Sequence, residues 1–396
     1  MTEQRAPGRK LRVVFVDHVA RLSGGEIAML RVLPALAADI DAHVVFGEDG
    51  PLVERLQSIG IDVEVMPLPP SLRDVRKESV RPGRLDPITL ARLPSYVYRL
   101  SRRIRELDAD LVHTNSLKAA LYGGVAARLA RVPAVWHVRD RIAVDYLPRS
   151  AVILVRAASR ILPTAVVANS EATLETLPAR LRSRVLYNPV VVPDSVEQPP
   201  SQPIRLANEF AVGVVGRLAP WKGQDVFLEA FAAAFRGRRV SGRIIGSAMF
   251  GEDAFAISLE RQAESLGISG QIEFRGFRDD VWAELSELDV LVHCSVSPEP
   301  FGQVVLEGMA FGLPVIAAGV GGPAELITNG VNGILTAPGD VGELAAALRR
   351  LHVDQGLCAD LGRAARVRSR EFTPERTAKQ LLAIYREIAT EAGGPT

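Results

Sequence analysis

The chain has 396 residues, 47% hydrophobic and 23% charged, with a formal net charge of +1. That length exceeds one ordinary core and points to two domains of roughly 180 residues each. The near-neutral charge gives no reason to expect nucleic acid or another polyanion as partner, and two cysteines, Cys294 and Cys358, exclude a disulfide framework. The polar start, MTEQRAPGRK, has no apolar signal-peptide core behind it, and no run approaches the ~20 apolar residues of a membrane span. A cytosolic location is expected.

LRVVFVD (11–17) is a continuous apolar run, suited to a strand buried on both faces. The loop HVARLSGGE leads into a predicted helix, EIAMLRVLPALAA, with apolar residues at helical spacing. Strand AHVVFGE, helix PLVERLQSIG and strand DVEVMPL continue the alternation. A helix ending in RRIREL precedes strands DLVHTN and AVWHVRD, which flank the helix ALYGGVAARLA. AVVANS, a Ser-capped helix EATLETL and RVLYNPVVV complete the first half. Residues 193–206, PDSVEQPPSQPIRL, have the composition of a linker.

The pattern then restarts: AVGVVGRL, helix DVFLEAFAAAF, GRIIGSA, a helix near ISLERQAESLG, IEFRGF, DVWAELSEL and DVLVHCS. A helix from about Gly302, then PVIAA, GILTAP and helix VGELAAALRRL, follow. Repeated strand–helix alternation means parallel sheets covered by helices on both faces. The expected architecture is α/β: two doubly wound Rossmann-like domains facing a cleft, spanning 1–195 and 205–371. The last helix, PERTAKQLLAIYREIA within 372–396, has no strand after it and is expected to cross back to the first domain. Ligands of such sheets bind beyond the carboxyl ends of the strands.

The glycine-rich turns exclude two chemistries. The first strand–helix turn holds Ser23-Gly24-Gly25-Glu26, without the G-x-G-x-x-G of dinucleotide binding, and no G-x-x-x-x-G-K-[ST] occurs anywhere. Gly24 and Gly25 still permit close backbone approach to a phosphate or sugar, or form a plain tight turn. In GVVGRLAPWKGQD, Arg217 and Lys222 lie in one loop beyond a strand, a placement that suits a diphosphate.

SPEPFGQVVLEGMAFGLPVIAAGVGGPAE (297–325) is apolar at its centre yet carries Glu299 and Glu307. A carboxylate there needs a protein partner or a ligand. The helix beginning near Gly302 offers its first N–H groups to an anion. The two glutamates are on the order of 10 Å apart at the rise of a helix, about the span from hexose to ribose in a nucleotide-sugar. Carboxylates accept from vicinal hydroxyls, so each could hold one end. The competing reading pairs Glu307 with a neighbouring arginine.

The motifs GRLAPWKG, IEFRGF, EPFGQVVLEGMAFGLPVIA and GGPAEL, with NSE and YNP in the first half, resemble the retaining GT-B glycosyltransferases of family 4 (glycosyl transferases group 1) over nearly the whole chain. The resemblance implies a hexosyltransferase (EC 2.4) moving a hexose or N-acetylhexosamine from a nucleoside-diphosphate sugar to a hydroxyl of a glycan, lipid-linked or small-molecule acceptor. It implies that Glu299 contacts the sugar hydroxyls and that the Phe301 and Gly302 amides lie by the sugar and diphosphate. Glu307 would hold the ribose, Arg217 and Lys222 the diphosphate, and the Arg275–Phe277 backbone the base. His137, in AVWHVRD, falls where the family places a histidine near the reacting sugar. Arg139 and Asp140 depart from commoner versions of that segment and are candidates to face the acceptor. No cofactor is implied beyond the co-substrate, with UDP-sugar favoured over GDP-sugar on family frequency.

No metal is expected. The six histidines lack ligand spacing, and Asp108-Ala109-Asp110 reads as a helix stop rather than a metal-binding D-x-D. His113 reads as support for the sheet. The Arg/Lys-rich segment 71–84, beside the basic helix RLSRRIREL, would serve a phosphate-bearing acceptor or a peripheral contact with the inner membrane face. Alternatives on the same fold are a phosphorylase, an NDP-sugar epimerase and a sugar-nucleotide-binding regulator. The first lacks a segment marking a pyridoxal lysine, and the second lacks placeable catalytic carboxylates and histidines.

Overall fold

The computed structural model describes residues 9–69, 87–179, 182–193, 210–249 and 251–392. The basic segment 71–84 and all of the Pro-rich stretch 193–206 except Pro193 lie outside them. The chain forms two compact units, residues 1–189 with 372–396, and residues 190–371.

The first unit is built on a seven-stranded parallel sheet ordered β3-β2-β1-β4-β5-β6-β7. Its strands are β1 (Leu11–Asp17), β2 (Ile40–Phe46), β3 (Asp62–Val65), β4 (Leu111–Thr114), β5 (Ala134–Val138), β6 (Ala165–Ala168) and β7 (Ser183–Val185). Period-2 alternation divides β1 between two cores. Val13 and Phe15 pack beneath α1 (Gly24–Leu36) and α2 (Pro51–Ser58), while Val14 and Val16 face α3 (Pro87–Glu106) and α4 (Leu117–Ala130). α5 (Arg149–Ile161) covers Trp136 and Val166 on that second face, ahead of the one-turn α6 (Glu171–Leu174).

Two local features differ from the sequence expectation. α1 opens at Gly24, two residues early. The helix α5 was not foreseen: its run Ala-Val-Ile-Leu-Val is as apolar as a strand, and only the alternation of buried Val152 and Val155 with exposed Ile153 and Leu154 shows the helical period. Ser170 does cap α6, accepting from the Thr173 amide at 2.9 Å.

The second unit holds a six-stranded parallel sheet, β10-β9-β8-β11-β12-β13. Its strands are β8 (Phe210–Val215), β9 (Val240–Ile245), β10 (Ile272–Gly276), β11 (Val290–His293), β12 (Val315–Ala318) and β13 (Ile334–Thr336). The helices are α7 (Gln224–Phe235), α8 (Asp253–Ser265), α9 (Val281–Ser286), α10 (Gln303–Phe311), α11 (Pro323–Leu326), α12 (Val341–Val353) and α13 (Gln355–Ser369).

The last helix, α14 (Pro374–Ala392), returns to the first unit. Its Ala378, Leu381, Tyr385 and Ile388 join the core formed by Met29, Leu33 and Leu36 of α1. No helix among the described residues is long and apolar enough to cross a membrane. Each sheet reverses its strand order once, between β1 and β4 and between β8 and β11, where adjacent crossovers diverge and leave a crevice at the strand ends.

Candidate active site

In the second unit, the loop after β8 meets the end of β11 at this reversal. A single 3₁₀ turn, Pro220–Lys222, is tied to β11 by the Val296 amide donating to Trp221 O (3.0 Å) and Cys294 Sγ donating to Lys222 O (3.3 Å). Gln224, fully buried, donates to Arg217 O at 2.9 Å and so fixes the other half of the loop. These ties aim Lys222 at Glu299.

Lys222 Nζ lies 2.8 Å from each carboxylate oxygen of Glu299. His293 Nε2 approaches Oε2 at 2.6 Å, and Ser295 Oγ donates to the same oxygen at 3.1 Å. Burial alone would push the Glu299 carboxyl up. The Lys222 ammonium and the His293 contact outweigh it and hold the group well below the usual carboxylate range. Glu299 is therefore ionised. Three donors converge on it, but among the described residues Oε1 meets only Lys222 and keeps a lone pair for another hydroxyl.

The Glu299 backbone is cradled by the glycines of GGPAEL. Glu299 O accepts from Gly322 N at 2.9 Å, and a Cβ at Gly321 (φ 70°) would fall 2.3 Å from the same oxygen. That fold-back sets the Pro300–Gly302 turn ahead of α10. Gly302 takes a left-handed φ of 89° as the residue before the helix. The Phe301 side chain is buried, which leaves only its backbone to face a ligand. Glu307 sits one turn into α10, buried, with Gln303 Nε2 at 3.4 Å.

Arg217 pairs with Glu252 (Nε–Oε2 3.4 Å), and its guanidinium and the Lys222 ammonium lie 5.7 and 4.6 Å from the Trp221 ring centre. The sequence reading sends Lys222 to a diphosphate and Glu299 to a sugar; the structure joins them. Arg275 and Phe277 lie at and just beyond the end of the edge strand β10. The Arg275 guanidinium is engaged by Glu273, Glu284 and Glu287, while the Phe277 ring is 64% exposed.

The first unit gathers a second polar cluster at its own reversal. Asp17 ends β1, and one carboxylate oxygen accepts from Asn115 Nδ2 at 2.8 Å, just beyond β4. The other accepts from the His18 amide at 2.7 Å, and His18 Nδ1 meets Ser116 Oγ at 2.7 Å. Burial opposes charge on Asp17, but the bonds from His18, Asn115 and Ser116 leave its carboxyl below the ordinary value. Arg139 spans the cluster, donating to Asn115 Oδ1 (3.0 Å) and Asn188 Oδ1 (2.6 Å). Its stem passes so close to Gly25 that a Cβ there would fall 2.7 Å from Arg139 Cδ. Glycine at this position admits an arginine of the same unit.

Arg139 also reaches His137 Nδ1 at 3.2 Å, and that nitrogen lies 3.3 Å from His113 Nε2; His113 Nδ1 in turn meets the Tyr385 hydroxyl at 2.7 Å. A guanidinium can only donate, so His137 Nδ1 is the acceptor and Nε2 carries the proton. The same logic assigns His113 Nε2–H as donor to His137 and the Tyr385 O–H as donor to His113. Burial, then Arg139 and His113, holds His137 far below the imidazole range; burial and Arg139 bring His113 to about 3. Both rings are neutral. His137 Nε2–H is buried and has no hydrogen-bond partner among the described residues. A small pocket lined by Phe15, Met29, Asn115, His137, Arg139 and Asn188 lies beside this cluster.

Glu26, in the first turn of α1, is buried against Ser23 Oγ. Burial and the Asp17 charge push its carboxyl up to about 8. Gly24 and Gly25 begin α1 itself, and Asp140 accepts from the Tyr146 hydroxyl at 2.6 Å. Asp110 is held by Arg9 (2.7 and 2.9 Å) and the Arg12 amide, and Asp108 takes a positive φ of 48° after α3 ends. Among the described residues, no group of three or more His, Cys, Asp or Glu is placed to hold a metal ion. Sequence reasoning missed Asp17, Glu26, Asn115, Asn188, His293, Ser295 and Tyr385 as members of these clusters. For Asp17, Asn115, His293 and Ser295 the available signal was a polar residue at or just past the end of an apolar strand; Glu26 and Tyr385 lie on helices and gave none.

Comparison with known proteins agrees with this architecture. Residues 22–192 match the family described as Glycosyltransferase Family 4, and residues 199–368 the one described as Glycosyl transferases group 1. A 2-deoxystreptamine glucosyltransferase of Streptomyces kanamyceticus is 32% identical over 72% of this chain and 79% of its own length. A D-inositol 3-phosphate glycosyltransferase of Acidothermus cellulolyticus is 27% identical over 86% of this chain and 84% of its own. The crystal structure of Anabaena HepE in complex with UDP and glucose is 28% identical, with a TM-score of 0.81 over 95% of this chain and all of that one. Two doubly wound units of this kind define the GT-B fold. The chain belongs to the family 4 (group 1) glycosyltransferases, enzymes of the EC 2.4 type.

Proposed function

We propose that this enzyme transfers a hexose or N-acetylhexosamine from a nucleoside-diphosphate sugar, UDP before GDP, to an acceptor hydroxyl, with retention of anomeric configuration and without a resident metal. The observation that carries the reading is the ionised Glu299 held by Lys222 ahead of α10. Glu299 Oε1 accepts a sugar hydroxyl, while Lys222, Arg217 and the first amides of α10, with those of Phe301 and Gly302, stabilise the leaving diphosphate. Glu307 holds the ribose, and the backbone at Arg275–Phe277 meets the base. UDP and UDP-glucose in the HepE crystals support the choice of nucleotide.

The second unit is thus the donor domain and the first the acceptor domain, with Arg139 and Asp140 on the acceptor side, His137 by the reacting sugar, and the Gly24–Gly25 backbone approaching the donor's phosphate or sugar. An inverting transferase needs a general base to deprotonate the acceptor. Three candidates in the first-unit cluster are not ready for that role. His137 Nδ1 is occupied by Arg139 and Nε2 holds a proton; Glu26 is protonated; Asp17 is hydrogen-bonded at both oxygens. The departing phosphate oxygen then takes the acceptor proton on the leaving-group face, through an oxocarbenium-like state, and His137 acts as a neutral N–H donor.

NMR of the first-formed product from an α-linked donor is expected to show an α-glycoside. A β-product would overturn retention and the His137 role. Turnover in EDTA is expected to match turnover with Mg²⁺; a strict requirement for added cation would overturn metal independence alone.

A further inference from the structure

The first unit distributes its exposed apolar side chains unevenly. Among its described residues, eight large hydrophobics are strongly exposed, and only Ile59 lies away from the α3–α5 layer. Tyr98 lies on α3, Val125 and Leu129 on α4, Ile153, Leu154 and Ile161 on α5, and Val144 just before α5. Scattered exposed leucines need no explanation, but a contiguous set does.

Contiguity follows from the fold. α3, α4 and α5 cover the same face of the sheet, opposite α1, α2 and α14. α4 shares one core with α3 and another with α5, and Arg128 of α4 donates from Nε to Ile161 O of α5 at 3.0 Å. On α4, Val125 and Leu129 are one turn apart. On α5, Ile153 and Ile161 are two turns apart, with exposed Ala157 between them.

The charge on this layer is mostly positive, with exposed Asp145 beside Val144 paired to Arg141. Arg99, Arg102, Arg128, Arg131, Arg149 and Arg160 are exposed on or immediately after these helices, and neither α4 nor α5 contains an Asp or Glu. Glu106, at the end of α3, pairs with Arg102 and Arg103. Arginines around isoleucine and leucine suit an interface where the apolar chains enter acyl tails and the guanidiniums meet phosphates. A second copy of the chain would bring two such cationic faces together, which repulsion opposes.

We propose that the outer surface of α3–α5 docks on an anionic lipid bilayer. It works as a peripheral contact: Ile153, Leu154 and Ile161 insert shallowly, and the arginines add electrostatic attraction that salt weakens. This inference is independent of the donor and stereochemistry proposed above.

Flotation of the full-length protein with vesicles is the test, using phosphatidylcholine alone or mixed with one third phosphatidylglycerol, at low and high salt. Binding is expected to the anionic vesicles only, falling at least about tenfold at high salt. Ile153→Ser/Leu154→Ser and, separately, Arg149→Glu/Arg160→Glu are each expected to reduce binding about tenfold or more. Both variants should retain thermal unfolding and UDP binding like the parent protein, because these side chains are exposed. Absence of binding to anionic vesicles, or binding unchanged in either double variant, overturns the proposal. So does a dimer, seen by light scattering, that Ile153→Ser/Leu154→Ser dissolves, since the face would then belong to a second copy.

Discussion

Glu26 and Glu299 are the same side chain in comparable places, one buried and the other nearly so, each near the start of a helix at the reversal of a parallel sheet, yet they carry opposite protonation states. Glu299 has an ammonium on both oxygens, an imidazole and a hydroxyl. Glu26 has one serine and the charge of Asp17 nearby, with Arg139 a weaker attraction. Burial costs both carboxylates; only the second unit supplies enough opposite charge to offset it. Topology thus selects where a polar site can sit, and the immediate partners decide what charge it bears.

The largest expected effect comes from breaking the charged site. Glu299→Gln keeps the shape but removes the charge that anchors Lys222, and turnover should fall by about 10² to 10³. UDP affinity should change little, because Lys222 then has no competing carboxylate. Steady-state kinetics beside calorimetric titration with UDP would check both halves, and unchanged turnover would remove Glu299 from the reaction.

A smaller effect is expected from the cations. Lys222→Ala should weaken UDP binding by about 1.5–3 kcal/mol, the loss of a charge-assisted contact. Arg217→Ala should fall at or below the low end of that range, because Arg217 is more exposed and already paired with Glu252. Equal UDP dissociation constants for the parent and both variants would sink the diphosphate assignment.

The smallest effect sharpens the comparison from the other side. The folded-state pKa of Glu26, about 8, lies above its ordinary value of 4.5. Between those pH values the folded protein therefore binds more protons than the unfolded chain, and stability falls as pH rises. The slope is at most about 1.4 kcal/mol per pH unit, ending near pH 8. His113 and His137 act oppositely, with depressed folded pKa values, so their contribution is lost as pH falls below the ordinary imidazole value. Unfolding midpoints of Glu26→Gln measured from pH 5 to 9 should lose the decline toward pH 8 and keep the acid-side loss. A decline in Glu26→Gln identical to the parent's would mean that Glu26 is not its source.

Much of the fold was legible because parallel sheets announce themselves as apolar runs alternating with helical periods. β1 matches its predicted bounds residue for residue. α5 was missed because a helix whose outer face is also apolar loses the contrast on which periodicity depends. In the second unit the site residues stood close together, Glu299 to Glu307 in one motif and Arg217 to Lys222 in another. Their direct pairing was hidden because 77 positions separate Lys222 from Glu299. The first-unit cluster was legible only at His137 and Arg139: Asp17, Asn115, Asn188 and Tyr385 each look like an isolated polar residue until the sheet closes.

The return of α14 has a consequence for synthesis. The hydroxyl that meets His113, the neighbour of His137, is translated only after the entire second unit has been made. Until then α1 lacks the leucines and tyrosine that cover it, and His113 Nδ1 lacks its hydroxyl donor. The second unit, continuous in sequence, can fold as it emerges, whereas the first must wait for residues nearly two hundred positions downstream. A chain that stops anywhere before Tyr385 therefore has an incomplete first-unit core and a His113 without its hydroxyl partner.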